Sequence, residues 1–237
     1  MKQASITRRN SLKLFALSGT TILTMPNVLW SAKKVAKPLR FGIITDSHYA
    51  DRDPAGTRFY RDALPKMNEA IKALNEADLD FLIHLGDFKD QGAEANPQET
   101  LKYLQEVETV FQRFDGDGYH ALGNHDVDSI RKAEFLRNIK NAGQEQARSY
   151  YSFETSAFIC IVLDANYDAA GKDHFYVEGA NWEDAHIPPE ELEWFKNTLT
   201  EAQKPVLVFC HHPLYPFYKE GSKFHVTNHQ EVQELMD

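Results

Sequence analysis

From Leu39 onward the chain alternates short apolar runs with longer stretches of helical spacing. The runs "LRFGIIT" (39–45), "LDFLIHLG" (79–86), "YHALG" (119–123), "FICIVLD" (158–164) and "PVLVFC" (205–210) have strand length and predict five strands. Between them, apolar residues recur every three or four positions. Tyr60, Leu64, Met67, Ile71 and Leu74 do so, as do Leu101, Leu104, Val107 and Phe111. Leu192, Phe195 and Leu199 repeat the pattern behind Pro188-Pro189. Strands alternating with such helices predict an α/β fold built from βαβ units. The longest stretch with neither period is 166–189, and long loops in compact domains tend to be functional.

The first forty residues break the pattern. They carry eight basic side chains and no acidic one. Arg8-Arg9, followed by Leu12, Lys13 and a moderately apolar stretch, resembles a bacterial twin-arginine export signal, with Ser11 where phenylalanine is common. The expected organisation is an export segment over 1–34 and a folded domain over 38–237. The expected destination is the periplasm or cell envelope. Nothing else in the sequence is long and apolar enough to span a membrane.

Charge narrows the function. Past residue 40, 18 basic side chains face 35 acidic ones, so the body lacks the footprint of a nucleic-acid binder. A protein this acidic that handles phosphates needs positive charge from elsewhere, and a metal can supply it. At 42% hydrophobic residues, the 237-residue chain can bury a sizeable core. Cys160 and Cys210 sit in or at the end of apolar runs and read as core thiols, without metal-type spacing.

The chemistry lies just past the apolar runs. "FGIIT" is followed by Asp46-Ser47-His48, "FLIHLG" by Asp87 and Asp90, "YHALG" by Asn124-His125-Asp126, and "VLVFC" by His211-His212-Pro213. In open α/β sheets this carboxyl rim is where ligands bind. A lone aspartate there reads as a cap or turn former, and Gly123 and Asn124 read as a turn because both tolerate positive φ. Turns have no use for His48, His125 and His211 together. Such a mixed His/Asp/Asn set suits Zn, Fe, Mn or Co and is too large for one tetrahedral ion. It suits a pair of ions about 4 Å apart with a bridging carboxylate.

In this order, "DSH", "GDFKD", "GNHD" and "HHP" resemble the first four motifs of the calcineurin-like metallophosphoesterase family, from about residue 39 to the end. The resemblance implies a four-layer α/β/β/α sandwich and hydrolysis of a phosphate mono- or diester by hydroxide activated at a binuclear metal centre. It further implies that Asp46 and His48 bind one metal, Asp87 bridges, and Asn124 and His211 bind the other. His125 then faces the phosphate as a catalytic residue, steadied by Asp90, with Asp126 able to share that task. The implied partner is a small phosphoester. A narrower similarity of "YADRDPAGTRFYRDALPKMNEAI" and "HHPLYP" to the manganese-dependent ADP-ribose/CDP-alcohol diphosphatases implies a nucleotide pyrophosphate bond.

Other polar residues near these motifs read two ways. His84 lies inside a strand run and reads as core. His212 reads as packed or solvent-facing. Arg58 and Arg61 follow the first motif closely enough to reach a second phosphate, or else open a solvated helix. The family's fifth motif, Gly-His-x-His on a further strand, has no counterpart here. His225 and His229 are four apart without the glycine, and Asn228 with Glu231 reads as a capping box. The expectation is therefore a sandwich incomplete at its C-terminus. The alternative to an active phosphoesterase is a truncated, catalytically inactive metal- or phosphate-binding module.

Overall fold

The computed structural model describes residues 38–216 and 223–237. The expected export segment, 1–34, lies outside them. β1 (Phe41–Ile44), β2 (Phe81–His84) and β3 (Gly118–His120) form a parallel sheet in that order, with Ile43 beside Ile83 and Ile83 beside Tyr119. Parallel neighbours need crossovers, supplied by α1 (Ala63–Asn75) and α2 (Pro97–Phe111). α2 starts where Asn96 accepts hydrogen bonds from the amides of Gln98 and Glu99, with Pro97 in the first helical position. Met67 and Ile71 of α1 and Leu104, Val107 and Phe111 of α2 are buried with Leu82 in one core.

A second sheet pairs β4 (Tyr151–Glu154) antiparallel to β5 (Ile159–Val162), and β5 parallel to β6 (Val206–Phe209). A second core lies between the sheets. Phe81, Ile83 and Tyr119 there meet Tyr151, Cys160 and Phe209, and Tyr119 stacks on Phe153 at 3.6 Å. The period of two along β2 sends Leu82 to the helices and Phe81 and Ile83 to the other sheet. Beyond the second sheet, Ile161 and Leu163 pack with Phe195 of α4 (Pro189–Glu201) and Val232 of α5 (His229–Met236). The layers run helix, sheet, sheet, helix, the α/β/β/α sandwich expected.

Local departures have local reasons. β4 was not expected, because four residues of Tyr-Ser-Phe-Glu stand out little from polar surroundings. The six-residue α3 (Lys132–Arg137) is too short for a helical period to show. Asn228 does not cap α5 with its side chain. Its amide instead grips the backbone N–H and C=O of Ile187 at 3.1 and 2.9 Å. Both cysteines are free thiols, Cys160 within the inter-sheet core. No helix among the described residues is long and apolar enough to cross a membrane.

Candidate active site

The loops leaving β1 and β2 keep pairing after the strands end. Asp46 N donates to Gly86 O at 3.1 Å, His48 N to Asp87 O at 2.9 Å, and Asp90 N to Tyr49 O at 2.9 Å. Asp46, His48 and Asp87 adopt left-handed φ of 56°, 47° and 53°. A non-glycine residue there costs on the order of 1–3 kcal/mol, and such strain collects at functional sites. Gly86 and Gly123 let the loops after β2 and β3 close in on each other. A Cβ on Gly86 would lie 2.5 Å from Gly123 N, and one on Gly123 would lie 2.3 Å from Asp87 N. Gly123 itself has φ −98°, extended backbone, so close approach and not turn geometry requires it.

Five side chains expected as metal ligands converge on this rim. Asp87 Oδ2 lies between two imidazoles, 3.5 Å from His48 Nε2 and 3.6 Å from His211 Nε2. Asp46 Oδ1 stands 3.6 Å from His48 Nε2, and Asn124 Oδ1 3.3 Å from His211 Nε2. Donors about 2.0–2.2 Å from a shared ion lie roughly 3 Å apart, so these spacings leave room for one on each side of Asp87. The proton positions point the same way. Leu85 O can only accept, so the 2.8 Å bond to His211 puts a proton on Nδ1 and leaves the Nε2 lone pair facing the oxygen of Asn124. Two acceptors face each other there unless a second proton or a cation stands between them. His48 repeats the problem, with Nδ1 toward Asp90 and Nε2 toward two carboxylates. Burial pushes the His48 ring down, but Asp46 and Asp90, with Asp87, outweigh it and hold it up at about 9. Hydrogen bonding to His48 correspondingly draws Asp46 below the usual carboxylate range, against burial. The donor set fits divalent cations.

His125 sits over this cluster. Its Nδ1 is 3.2 Å from Asp90 Oδ2, the same oxygen that lies 3.4 Å from His48 Nδ1 and 3.5 Å from Arg58 Nη1. Burial raises the Asp90 carboxyl, but the His125 and His48 rings together hold it below the usual range. The His125 backbone is fixed at both polar groups, its N–H donating to Asp87 Oδ1 at 2.9 Å and its C=O accepting from Lys89 Nζ at 2.6 Å. Asp126 does a different job from Asp90. Fully buried, it accepts from Phe88 N and Lys89 N through Oδ1 and from Gly123 N through Oδ2. Burial, with the Asp87 charge, pushes its carboxyl up to about 6. Asp126 thus ties the second strand-end loop to the third, and the contact to the His125 ring belongs to Asp90.

A pocket of about 780 Å³ opens over these groups, with Asp46, Asp87, Asn124, His125 and His211 in its wall beside Arg58 and Trp182. The profile of the calcineurin-like phosphoesterase family matches residues 39–234. The chain belongs to that family. Among curated relatives, manganese-dependent ADP-ribose/CDP-alcohol diphosphatases match from Arabidopsis thaliana (29% identical, 70% of this chain, 52% of the relative) and from Oryza sativa subsp. japonica (31%, 56% and 44%). The chain thus spans about half the length of these relatives. Among solved structures, a dimetal phosphatase from Danio rerio superposes with TM-score 0.65 at 18% identity, covering 84% of this chain and 77% of that one. A purple acid phosphatase from yellow lupin (Lupinus luteus) gives 0.54 at 16%, covering 83% and 35%. Both likenesses concern the fold.

Several polar residues around the pocket are settled by their partners. Arg61 is committed to Asp51 and Asp53 at 2.5 and 2.7 Å, away from the pocket that Arg58 lines. His84 is fully buried on Ser47 Oγ at 2.7 Å and kept neutral chiefly by burial, as a core residue should be. His212 is buried against the pocket, with no hydrogen-bond partner for either ring nitrogen, and burial drives it down to about 3. Sequence reasoning missed Lys89 and Asp128, a fully buried ion pair beneath His125, and with them Trp182. Asp90, His125 and Asp128 also bring donors within 4.8 Å of one another, but the Lys89 ammonium already matches Asp128, making that trio an anchor. Trp182 lies 4.7 Å from the His125 ring and stacks on Tyr176 at 3.6 Å. Only a lysine inside "GDFKD" and the unusual length of 166–189 hinted at either.

Proposed function

We propose that this phosphoesterase is a manganese-dependent hydrolase that cleaves nucleoside diphosphate esters at the pyrophosphate. The observation that carries the reading is the pair of imidazole Nε2 atoms flanking one Asp87 oxygen, each also facing a second oxygen donor. Asp46, His48 and Asp87 on one side, and Asp87, Asn124 and His211 on the other, would hold two divalent ions, which would supply Lewis acidity and a water-derived nucleophile near neutral pH. The chain's own groups do the rest. With Asp90 facing Nδ1, the doubly protonated His125 ring turns its Nε2–H to the phosphoryl oxygens and gives that proton to the leaving oxygen, ending neutral with its remaining proton on Nδ1. Arg58 presents a guanidinium suited to a second phosphate. The manganese-dependent diphosphatases at 29% and 31% identity support the metal and the substrate class.

The test is turnover of ADP-ribose and CDP-choline, with p-nitrophenyl phosphate as a small control. The reading expects activity with Mn²⁺, loss on chelation, and loss in Asp87→Ala. Manganese binding without turnover of any phosphoester overturns it. Export through Arg8-Arg9 belongs to the same proposal, and a folded reporter fused behind residues 1–34 should reach the periplasm only while both arginines are present.

A further inference from the structure

A second cavity, of about 340 Å³, adjoins the main pocket, and Thr45, Asp46 and Arg58 line both. We propose that it seats the nucleoside arm of a nucleoside diphosphate ester, an inference that rests on the hydrolase reading above. Its floor is apolar, formed by Ile44, Ala63, Met67 and Ala70. At its edge Phe59 is 55% exposed, with the Lys66 ammonium 5.8 Å from its ring centre. An apolar floor, an open ring and flanking cations suit an uncharged base carried on a phosphorylated sugar. The volume falls within the roughly 300–1,000 Å³ of small-molecule sites.

The junction between the cavities fits a diphosphate. Arg58 is tethered 3.5 Å from Asp90 Oδ2, beside the residue that holds His125. A phosphate that cations held at Asp87 would grip therefore has a guanidinium next along the path into the second cavity. The obvious competing platform, Trp182, is half-buried and already engaged by two rings. One side is stacked on Tyr176 at 3.6 Å with 4° between the planes, and the ring also meets His125 at 4.7 Å.

Two variants test this from opposite directions. Ala70→Phe fills the floor, and Phe59→Ala removes a ring that is already exposed and so spares the fold. In each, the ratio of kcat/KM for ADP-ribose to that for p-nitrophenyl phosphate should fall at least about tenfold, the step that 1.4 kcal/mol of lost binding produces. CDP-choline, which shares the nucleoside diphosphate but not the terminal ribose, should fall with it. An unchanged ratio overturns the subsite, and a loss confined to one of the two substrates overturns its assignment to the nucleoside. Calorimetric titration of ADP-ribose with Mn²⁺ present separates the two readings. Wild-type binding without turnover overturns the hydrolase, while weaker binding in Ala70→Phe still upholds the subsite. Turnover with equal affinity in both variants overturns the subsite alone.

Discussion

Asp90 and Asp126, in the loops after β2 and β3, carry the same carboxylate and do unlike work. Asp90 faces rings, while Asp126 faces three backbone amides in full burial. Asp126→Ala strands those amides, so we expect a loss of about 2–4 kcal/mol of stability in urea titration, since an unmet buried donor costs roughly 1–3 kcal/mol. Asp90→Asn should leave the urea midpoint nearly in place and lower turnover. His125→Asn separates chemistry from metal binding in the same way. Its manganese signal by paramagnetic resonance should persist while turnover drops by about 10²–10⁴, the usual contribution of a positioned acid. Trp182→Ala removes the ring against His125 and should lower kcat more than it raises KM, with Trp182→Phe recovering most of the loss.

At the scale of elements, the site depends on how closely two loops approach. Gly123→Ala places a Cβ 2.2 Å from Asp87 Oδ1, so one of the two loops must shift and move the Asp87 carboxylate. The expected result is manganese affinity reduced at least about tenfold with the secondary structure intact, comparable to losing a neighbour of a metal ligand. The sequence marked Gly123 as a turn former, and the structure shows extended backbone there. A glycine letter is the same in both cases, and only the neighbouring loop tells them apart. Lys89 teaches the same lesson. Read along the chain it is one more surface cation, yet it lies fully buried under His125 O and Asp128. Lys89→Met leaves Asp128 unpaired in the interior and should destabilise by about 3–5 kcal/mol.

For the whole molecule, acid should weaken the fold through His84. Burial, with the nearby His120, lowers its folded pKa well below 6.5, so the unfolded chain binds the extra proton. That stability is fully present above pH 6.5 and is lost as pH falls below it, by at most about 1.4 kcal/mol per pH unit. Urea midpoints at pH 7.5 and 5.5 should show it, with the slope reduced in His84→Asn. The sequence by itself determined the alternation of strands and helices, because apolar periods of two and of three to four are local. It determined the strand-end donors too, because a polar His/Asp cluster behind an apolar run has no packing use. The tertiary structure decided what depends on non-local neighbours. It decided that Asp87 stands between His48 and His211, that Asp90 rather than Asp126 meets His125, and that Arg58 joins two cavities while Arg61 turns away. Direction and distance between separate strand ends arise only when strands pair and the two sheets pack, and no spacing along one chain encodes them.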